Sequence, residues 1–469
     1  MSLLDLTIRE AEFDTLRALV RRDDGIEAAA YVLCGESRIH SDPWKRRSRL
    51  RLTVHTVLPI PGEDAVSASE RHVTWSTASY VKLLKRAKDE GLVPGIVHTH
   101  PRGPARFSGQ DDRNEKDLLR LARNRNGDET SLVSILLADG DQVRARIWPD
   151  FHGPVDAVAV RIVGEHLTIQ SPTLETSEPD FLARQALVFG PSLNTRLRGM
   201  RIGVVGCGGT GSAAAMLLAR LGVGQLALLD EDIVEVTNLN RLHGARRADA
   251  DAMRPKVEVV AREITELGLG VRVVPLRCWI GDPLCHDALK ACDVIFGCTD
   301  DHDGRLLLNR LAYYYLIPVI DMGLAVDPAP DSSCLRDLTG RVTVLVPGAP
   351  CLLCRGIVDP STARDEDLRR RSPKEYEQRK REAYVRGSGN PAPAVATFTT
   401  ATACLAVDEL LQALNGFRGP GGWAWQRTRR FDLLQDRRPG ANQQPQCLVC
   451  SSRDNWGRGD VDPFLDRTG

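Results

Sequence analysis

Three groups of residues stand at spacings that can do chemistry. The first runs Val205-Gly206-Cys207-Gly208-Gly209-Thr210-Gly211, then Asp230, then Asn238, Arg241 and Lys256. Glycines in this pattern allow a tight turn and let phosphate oxygens approach the backbone N–H groups that open a helix. Gly206 and Gly208 serve the turn, and Gly211 lets the helix pack close to the preceding strand. Asp230, at the end of the next apolar run, suits ribose hydroxyls. A glycine loop with a later carboxylate also fits a nicotinamide dinucleotide, so an oxidoreductase is one reading. Arg241 and Lys256 count against it, because two fixed cations suit a triphosphate and its departing pyrophosphate better. Cys298-Thr299-Asp300-Asp301 follows a further apolar run, and carboxylates there can hold Mg²⁺ on phosphates.

The second group is His98-x-His100 followed by Ser108-x-x-Asp111. On a strand, period two points both imidazoles to one side. Asp111, opening the next helix, supplies a third ligand, and three protein ligands leave a coordination position open, as in a catalytic zinc site. Glu27, just ahead of an apolar run, is the candidate general base, and Ser108 a candidate donor to an oxyanion. The third group is Cys351-x-x-Cys354 with Cys447-x-x-Cys450, four thiolates that suit a closed, structural zinc. Cys404, in an apolar helical run, reads as a small buried hydrophobe. Cys334, in a Pro/Asp-rich loop, is the other candidate for a thioester thiol.

These residues need strands to carry them and helices to close them. Apolar, β-branched runs predict strands over Arg201–Val205, Gln225–Leu229, 293–296 and 340–346, with helices over 212–221 and 399–414. Ahead of them, helices are expected over 9–22, 77–89 and 111–123, and strands over 28–34, 50–60, 95–97 and 131–138. Residues 170–180 have the Ser, Thr, Pro and acidic composition of a linker, and 181–197 reads as one helix beyond it. The division is therefore 1–165, a linker over 166–180, and 181–469. Residues 359–386 are dense in both charges, as in a solvated helix or loop, and Gly387 to Pro391 breaks that run.

The 469 residues carry 62 basic and 62 acidic side chains, a balance that argues against bulk binding to nucleic acid. No apolar run is long enough for a membrane span, and Asp5, Arg9, Glu10 and Glu12 interrupt the start, so a cytoplasmic protein is expected. Twelve cysteines in a chain of this length do not read as a secreted disulfide scaffold.

The ordered set from Arg184-Gln185 through Gly206, Asp230, Asn238, Arg241, Lys256 and Asp300 resembles the ubiquitin-activating-enzyme superfamily, including ThiF/MoeB/HesA-type adenylating enzymes. The resemblance implies a Rossmann-like, doubly wound adenylation domain. In it Gly206, Gly208, Gly209 and Gly211 form the phosphate loop, Asp230 binds ribose, Asn238, Arg241 and Lys256 hold the phosphates, and Asp300 positions Mg²⁺. Arg184 would reach the ATP of a second subunit, which implies a homodimer. Leu242 and Asp301 stand where that family usually has Gln and Asn. The N-terminal pattern resembles the JAMM (JAB/MPN) metallopeptidases, which implies a mixed α/β domain that hydrolyses peptide or isopeptide bonds at the C-terminus of ubiquitin-like proteins. Ile96-Val97 stand where a bulky aromatic is usual. Together the resemblances imply ATP-dependent adenylation of a ubiquitin-like or sulfur-carrier protein, hydrolysis that matures or removes it, and a conjugating enzyme as a further partner. The alternatives are an NAD-binding oxidoreductase with an attached metal hydrolase, and a non-catalytic carrier-binding scaffold.

Overall fold

The computed structural model describes residues 2–22, 24–68, 73–101, 103–171, 179–328, 335–381 and 393–466. Cys334, residues 172–178 of the expected linker and the Gly387 to Pro391 break lie outside the described residues.

The N-terminal half runs β1 (Leu3–Arg9), α1 (Glu10–Val20), β2 (Ala29–Ile39), β3 (Arg49–Pro59), a hairpin of β4 (Ala65–Ala68) and β5 (Val73–Trp75), α2 (Thr77–Glu90), β6 (Val93–His100), α3 (Gly109–Asn126), β7 (Leu132–Ala138), β8 (Val143–Trp148), β9 (Val155–Val163) and β10 (Leu167–Gln170). The large sheet has the order β1-β3-β2-β6-β7-β8-β9-β10, and β9 also pairs with β1, so the ladder closes on itself. Strand period two sets its two cores. Ala30, Val32 and Cys34 of β2 face α1 residues Phe13, Leu16 and Val20. Tyr31 and Leu33 face Tyr80, Leu83 and Leu84 of α2 and Leu119 of α3. The sequence does not announce β1, because Asp5 sits in its middle; in the fold that carboxylate is buried among arginines. β10 also lies inside the stretch expected to be linker.

The C-terminal half runs α4 (Ala183–Phe189), α5 (Pro191–Gly199), β11 (Arg201–Val205), α6 (Gly209–Arg220), β12 (Gln225–Leu229), α7 (Arg247–Asp251), α8 (Lys256–Glu266), β13 (Arg272–Leu276), α9 (Pro283–Ala291), β14 (Val294–Gly297), α10 (His302–Tyr314), β15 (Val319–Pro328), β16 (Leu335–Leu345), α11 (Pro360–Arg371), α12 (Pro373–Arg381), α13 (Ala396–Asn415), β17 (Gln426–Arg430) and β18 (Gln435–Arg437). The helix expected over 181–197 is broken: Gly190 has φ +78°, and Pro191 starts a new helix at its first position. Strands β13-β12-β11-β14-β15 are parallel, and β16, β17 and β18 add antiparallel to the far side. From β11 the chain moves outward through β12 to β13, then returns to place β14 on the other side of β11. That reversal opens a crevice at the C-terminal ends of β11, β12 and β14.

The halves meet through buried charge rather than only through a linker. Arg161 of β9 donates to Asp293 at 2.6 Å. Arg201 of β11 donates to Asp5 and to Asp293, each at 3.1 Å. Arg49 donates to Asp5 at 2.6 Å and to Asp42 at 2.8 Å. Arg51 donates to the carbonyls of Lys290 and Cys292 at 3.0 and 2.6 Å. An arm after the second cysteine pair adds a further clasp: Gly459 bridges Glu36 in parallel, Asp460 N donates to Glu36 O, and Thr53 donates to Gly457 O. A Cβ on Gly35 would strike the Gly457 carbonyl, so that glycine lets the arm lie flat on β2. Trp423 donates to Gly164 O at 2.9 Å, which ties α13's neighbourhood to the end of β9. Among the described residues no helix is long and apolar enough to cross a membrane.

Candidate active sites

The register of β2 against β6 builds the first site. Ala29 pairs with His98 in antiparallel fashion, so Glu27 falls opposite His100. His98 and His100 leave the end of β6 on one side, as period two requires. Ser108 caps α3: its Oγ accepts from Asp111 N at 3.2 Å, and Asp111 Oδ2 accepts from Ser108 N at 2.6 Å. The cap holds the Asp111 carboxylate 3.4 Å from His98 Nε2 and 3.6 Å from His100 Nε2. Glu27 Oε1 lies 3.9 Å from His100 Nε2. The two imidazoles and Asp111 offer ligand atoms all within 4.8 Å of one another. His98 Nε2 is buried with no hydrogen-bond partner, a costly state for a polar atom unless something binds it. His100 Nδ1 faces the Pro104 carbonyl at 3.4 Å, which leaves Nε2 available to a metal. This donor set fits a zinc with an open position.

Electrostatics separate the two carboxylates. Burial raises the Glu27 pKa to about 7, opposed by His98 and assisted by Asp111. Burial would raise Asp111 as well, but His98 and the Ser108 cap hold it well below the usual carboxylate range. One acid is therefore tuned to accept a proton and the other to stay ionised. Ser108 is committed to the cap as an acceptor, which leaves its hydroxyl hydrogen for donation. Glu115, one turn beyond Asp111, is 1% exposed and accepts from Ser134, Arg146 and Trp148. It pins α3, and so Asp111, to the sheet. Sequence reading missed it, although a glutamate on the inward side of a helix was the available signal.

The second site lies in the crevice. Gly206 has φ +88°, and a Cβ there would meet the backbone of Cys298 and Thr299 at 2.8–2.9 Å. A Cβ on Gly211 would strike the Gly206 carbonyl. A Cβ on Gly209 would lie 3.2 Å from the Arg241 stem, so Arg241 crosses directly over the loop. A Cβ on Gly208 would meet nothing within 4 Å, so that side of the loop is open. Asp230 accepts from Cys207 N at 2.6 Å and from Asp232 N at 2.8 Å. Lys256, at the start of α8, donates to Asp232 at 2.7 Å. Burial would lower its pKa, but Asp230, Asp232 and Asp300 raise it, so the ammonium is held charged. Arg241 donates to Thr237 O at 2.7 Å. Asn238 Oδ1 accepts from Glu235 N at 3.1 Å. Asp300 is exposed at the end of β14. Asp232 was not foreseen, and only its position just after Asp230 hints at it.

The two unusual residues of this half have structural explanations. Asp301 caps α10, accepting from Gly304 N at 2.8 Å, a task Asp and Asn share. Leu242 is buried in the core beneath α6. Arg184 is exposed on α4, while Gln185 donates to Asn194 at 2.7 Å and to Leu221 O at 3.2 Å.

Cys351, Cys354, Cys447 and Cys450 converge, with Sγ pairs at 3.6 Å (Cys351–Cys447) and 3.4 Å (Cys354–Cys450). Thiolates at the corners of a tetrahedron with zinc bonds of about 2.3 Å stand about 3.8 Å apart, so the group can hold a zinc. Cys404 corrects an expectation: it is exposed on α13, because Ala403, Ala406, Val407 and Leu410 take the inward face. Partial desolvation of its thiol and the nearby Asp408 raise its pKa, which disfavours the thiolate. Cys207 is fully buried within the loop.

Residues 182–449 match the ThiF family, and residues 9–148 match the prokaryotic homologs of the JAB domain. The first match covers more than half of the chain, and the chain belongs to the ThiF family. It is similar to the SAMP-activating enzyme E1 of Haloferax volcanii, with 30% identity over 184 residues, 39% of this chain and 63% of that protein. It is also similar to the molybdopterin-synthase adenylyltransferase of Escherichia coli, with 32% identity over 162 residues, 34% of this chain and 59% of that protein. The chain thus spans about three fifths of the length of these relatives. Among solved structures, E. coli MccB with MccA-N7isoASN aligns at 21% identity and a TM-score of 0.45, over 58% of this chain and 75% of that one.

Proposed function

We propose that the C-terminal half adenylates the C-terminal carboxylate of a small ubiquitin-like or sulfur-carrier protein. The observation that carries this reading is the Arg241 stem lying across Gly209, with Lys256 held charged between Asp230, Asp232 and Asp300. We read the crevice as that of a Rossmann-like, doubly wound sheet. The β- and γ-phosphates of ATP rest on the loop of Gly206, Gly208, Gly209 and Gly211. Asp230 takes the ribose hydroxyls. Asn238, Arg241 and Lys256 draw charge onto the departing pyrophosphate as the carrier carboxylate attacks the α-phosphorus. Asp300 would hold Mg²⁺, which would supply charge neutralisation to the phosphates. Arg184 completes the site of a second copy; Leu187 and Val188 beside it are 87% and 72% exposed, which supports a homodimer.

The N-terminal half hydrolyses a peptide or isopeptide bond at such a carrier's C-terminus. His98, His100 and Asp111 hold a zinc, which supplies Lewis-acid chemistry there. Glu27 takes a proton from the attacking water and returns it to the leaving amine. Ser108 donates to the oxygen on which negative charge develops. The four cysteines hold a structural zinc. A conjugating enzyme is a further partner of this reading.

The test is ATP–pyrophosphate exchange with a candidate carrier. Lys256→Ala and Arg241→Ala should each lower exchange by ~10²-fold or more. Wild-type exchange in both variants refutes the adenylation reading.

A further inference from the structure

Cys278 and Cys285 face each other with Sγ atoms 2.7 Å apart, outside both sites described above. They flank the turn that follows β13. Cys278 N donates to Leu276 O, the same carbonyl that accepts from Asp230 N, so the turn abuts the ribose end of the crevice. Arg277 donates to Glu231 O at 3.4 Å. Asp282 ends the turn by accepting from Trp279 N at 3.2 Å, and α9 begins immediately. Above the turn lies α11: Arg370 stacks over the Trp279 ring at 3.6 Å and donates to Asp303 at 2.7 Å. Glu366 on the same helix accepts from Asp303 N at 2.9 Å. The turn therefore seats α11 against the start of α10, beside Asp300 and Asp301.

The pair is asymmetric. Cys285 is fully buried, and Cys278 keeps 8% of its surface exposed. Cys278 is accordingly the thiol that a small oxidant meets first. Its hydrogen bond with Cys285 lowers its pKa, against the pull of burial, and raises that of Cys285. A disulfide needs sulfurs about 2.0 Å apart, so closure asks for only a small approach.

We propose that Cys278 and Cys285 are a redox-sensitive dithiol, oxidised by a hydroperoxide to a disulfide that fixes the Trp279 turn beneath α11. The Cys278 thiolate attacks the peroxide O–O bond, giving a sulfenic acid and releasing an alcohol or water. The Cys285 thiol then attacks that sulfur, the S–S bond forms, and a second water leaves. Two thiol hydrogens and one peroxide bond are consumed. The proposal goes beyond the adenylation reading, and its test uses no nucleotide.

The test treats the reduced full chain with hydrogen peroxide. Trypsin then releases residues 278–290 as one peptide, since Arg277 and Lys290 flank it. The expected peptide is lighter by two hydrogens and resists iodoacetamide until reduced. Native trypsin cleavage after Arg369 to Arg371 should slow several-fold on oxidation of the wild type, and stay unchanged in Cys278→Ala and Cys285→Ala. Full alkylation of both thiols after peroxide overturns the dithiol. A disulfide that leaves native cleavage at α11 unchanged overturns its hold on that helix.

Discussion

Arg161 and Asp293 bond at 2.6 Å across the junction of the two halves, each side chain 2% exposed. Removing one partner would strand a buried guanidinium, at a cost of ~3–5 kcal/mol. Asp293→Asn keeps the shape and removes the charge. Urea unfolding of that variant should show a loss of this size, and both proposed activities should fall together. A loss under ~1 kcal/mol, the scale of an exposed pair, would show that the junction does not depend on this contact.

The same cluster sets an acid limit. Burial alone would raise the Asp293 pKa, but Arg161, Arg201 and Arg51 bring it down to about 2. Burial is likewise overcome at Asp5, which Arg161, Arg201, Arg49 and Arg51 hold lower still. Both folded values lie below the unfolded value of about 3.9. Their stabilisation is thus complete above about pH 4 and drains away as pH falls towards 2. Circular dichroism during acid titration should show unfolding inside that window, at higher pH for Arg161→Ala. A signal that is flat down to pH 2 would contradict this.

Glu27→Gln preserves size but cannot accept a proton. Hydrolysis of a carrier fusion should drop ~10²-fold or more. Pyrophosphate exchange should hold at the wild-type rate, because Glu27 makes no contact at the junction. Wild-type hydrolysis would remove Glu27 from the reaction.

Arg184→Ala and Lys256→Ala chains should each be inactive in exchange. Mixed in equal amounts and allowed to swap subunits, they should regain about a quarter of the wild-type rate, since half of the dimers then hold one intact site. No recovery, with light scattering reporting a monomer, would end the shared-site proposal.

Cys447→Ser opens the four-cysteine group and so loosens the arm that follows it. Denaturant midpoints should fall, and amide exchange at Arg38 and Asp460 should quicken, since Asp460 Oδ2 accepts from Arg38 N and Asp460 N donates to Glu36 O. Unchanged exchange there would separate the cysteines from the clasp.

Much of both sites was legible because local rules decide them. Strand period two aligned His98 with His100, and the Ser108-x-x-Asp111 spacing is that of a helix cap that brings Asp111 beside both imidazoles. Strands Arg201–Val205 and Gln225–Leu229 stood at their expected bounds, since buried parallel strands are uniform apolar runs. What stayed hidden depends on contacts distant in sequence. Asp5, Arg51, Arg161, Arg201 and Asp293 each interrupt or flank an apolar run, and each looks like a strand's solvated side until its partner from the other half is present. The solvent side of α13 was hidden for the opposite reason: its apolar run is nearly continuous, so Cys404 could not be assigned a face.

The clasp on β2 has a consequence for how this chain is made. Glu36 is translated more than four hundred codons before its partners Gly459 and Asp460. At translation rates of roughly 5–20 residues per second, the end of β2 beyond its pairing with β6 waits on the order of tens of seconds without them. Throughout that interval the nascent N-terminal half presents open backbone donors and acceptors, together with Arg51 and Arg161 lacking their distal partners. Synthesis of this protein therefore includes a timed vulnerability to strand capture by other chains, which ends only when residue 460 emerges.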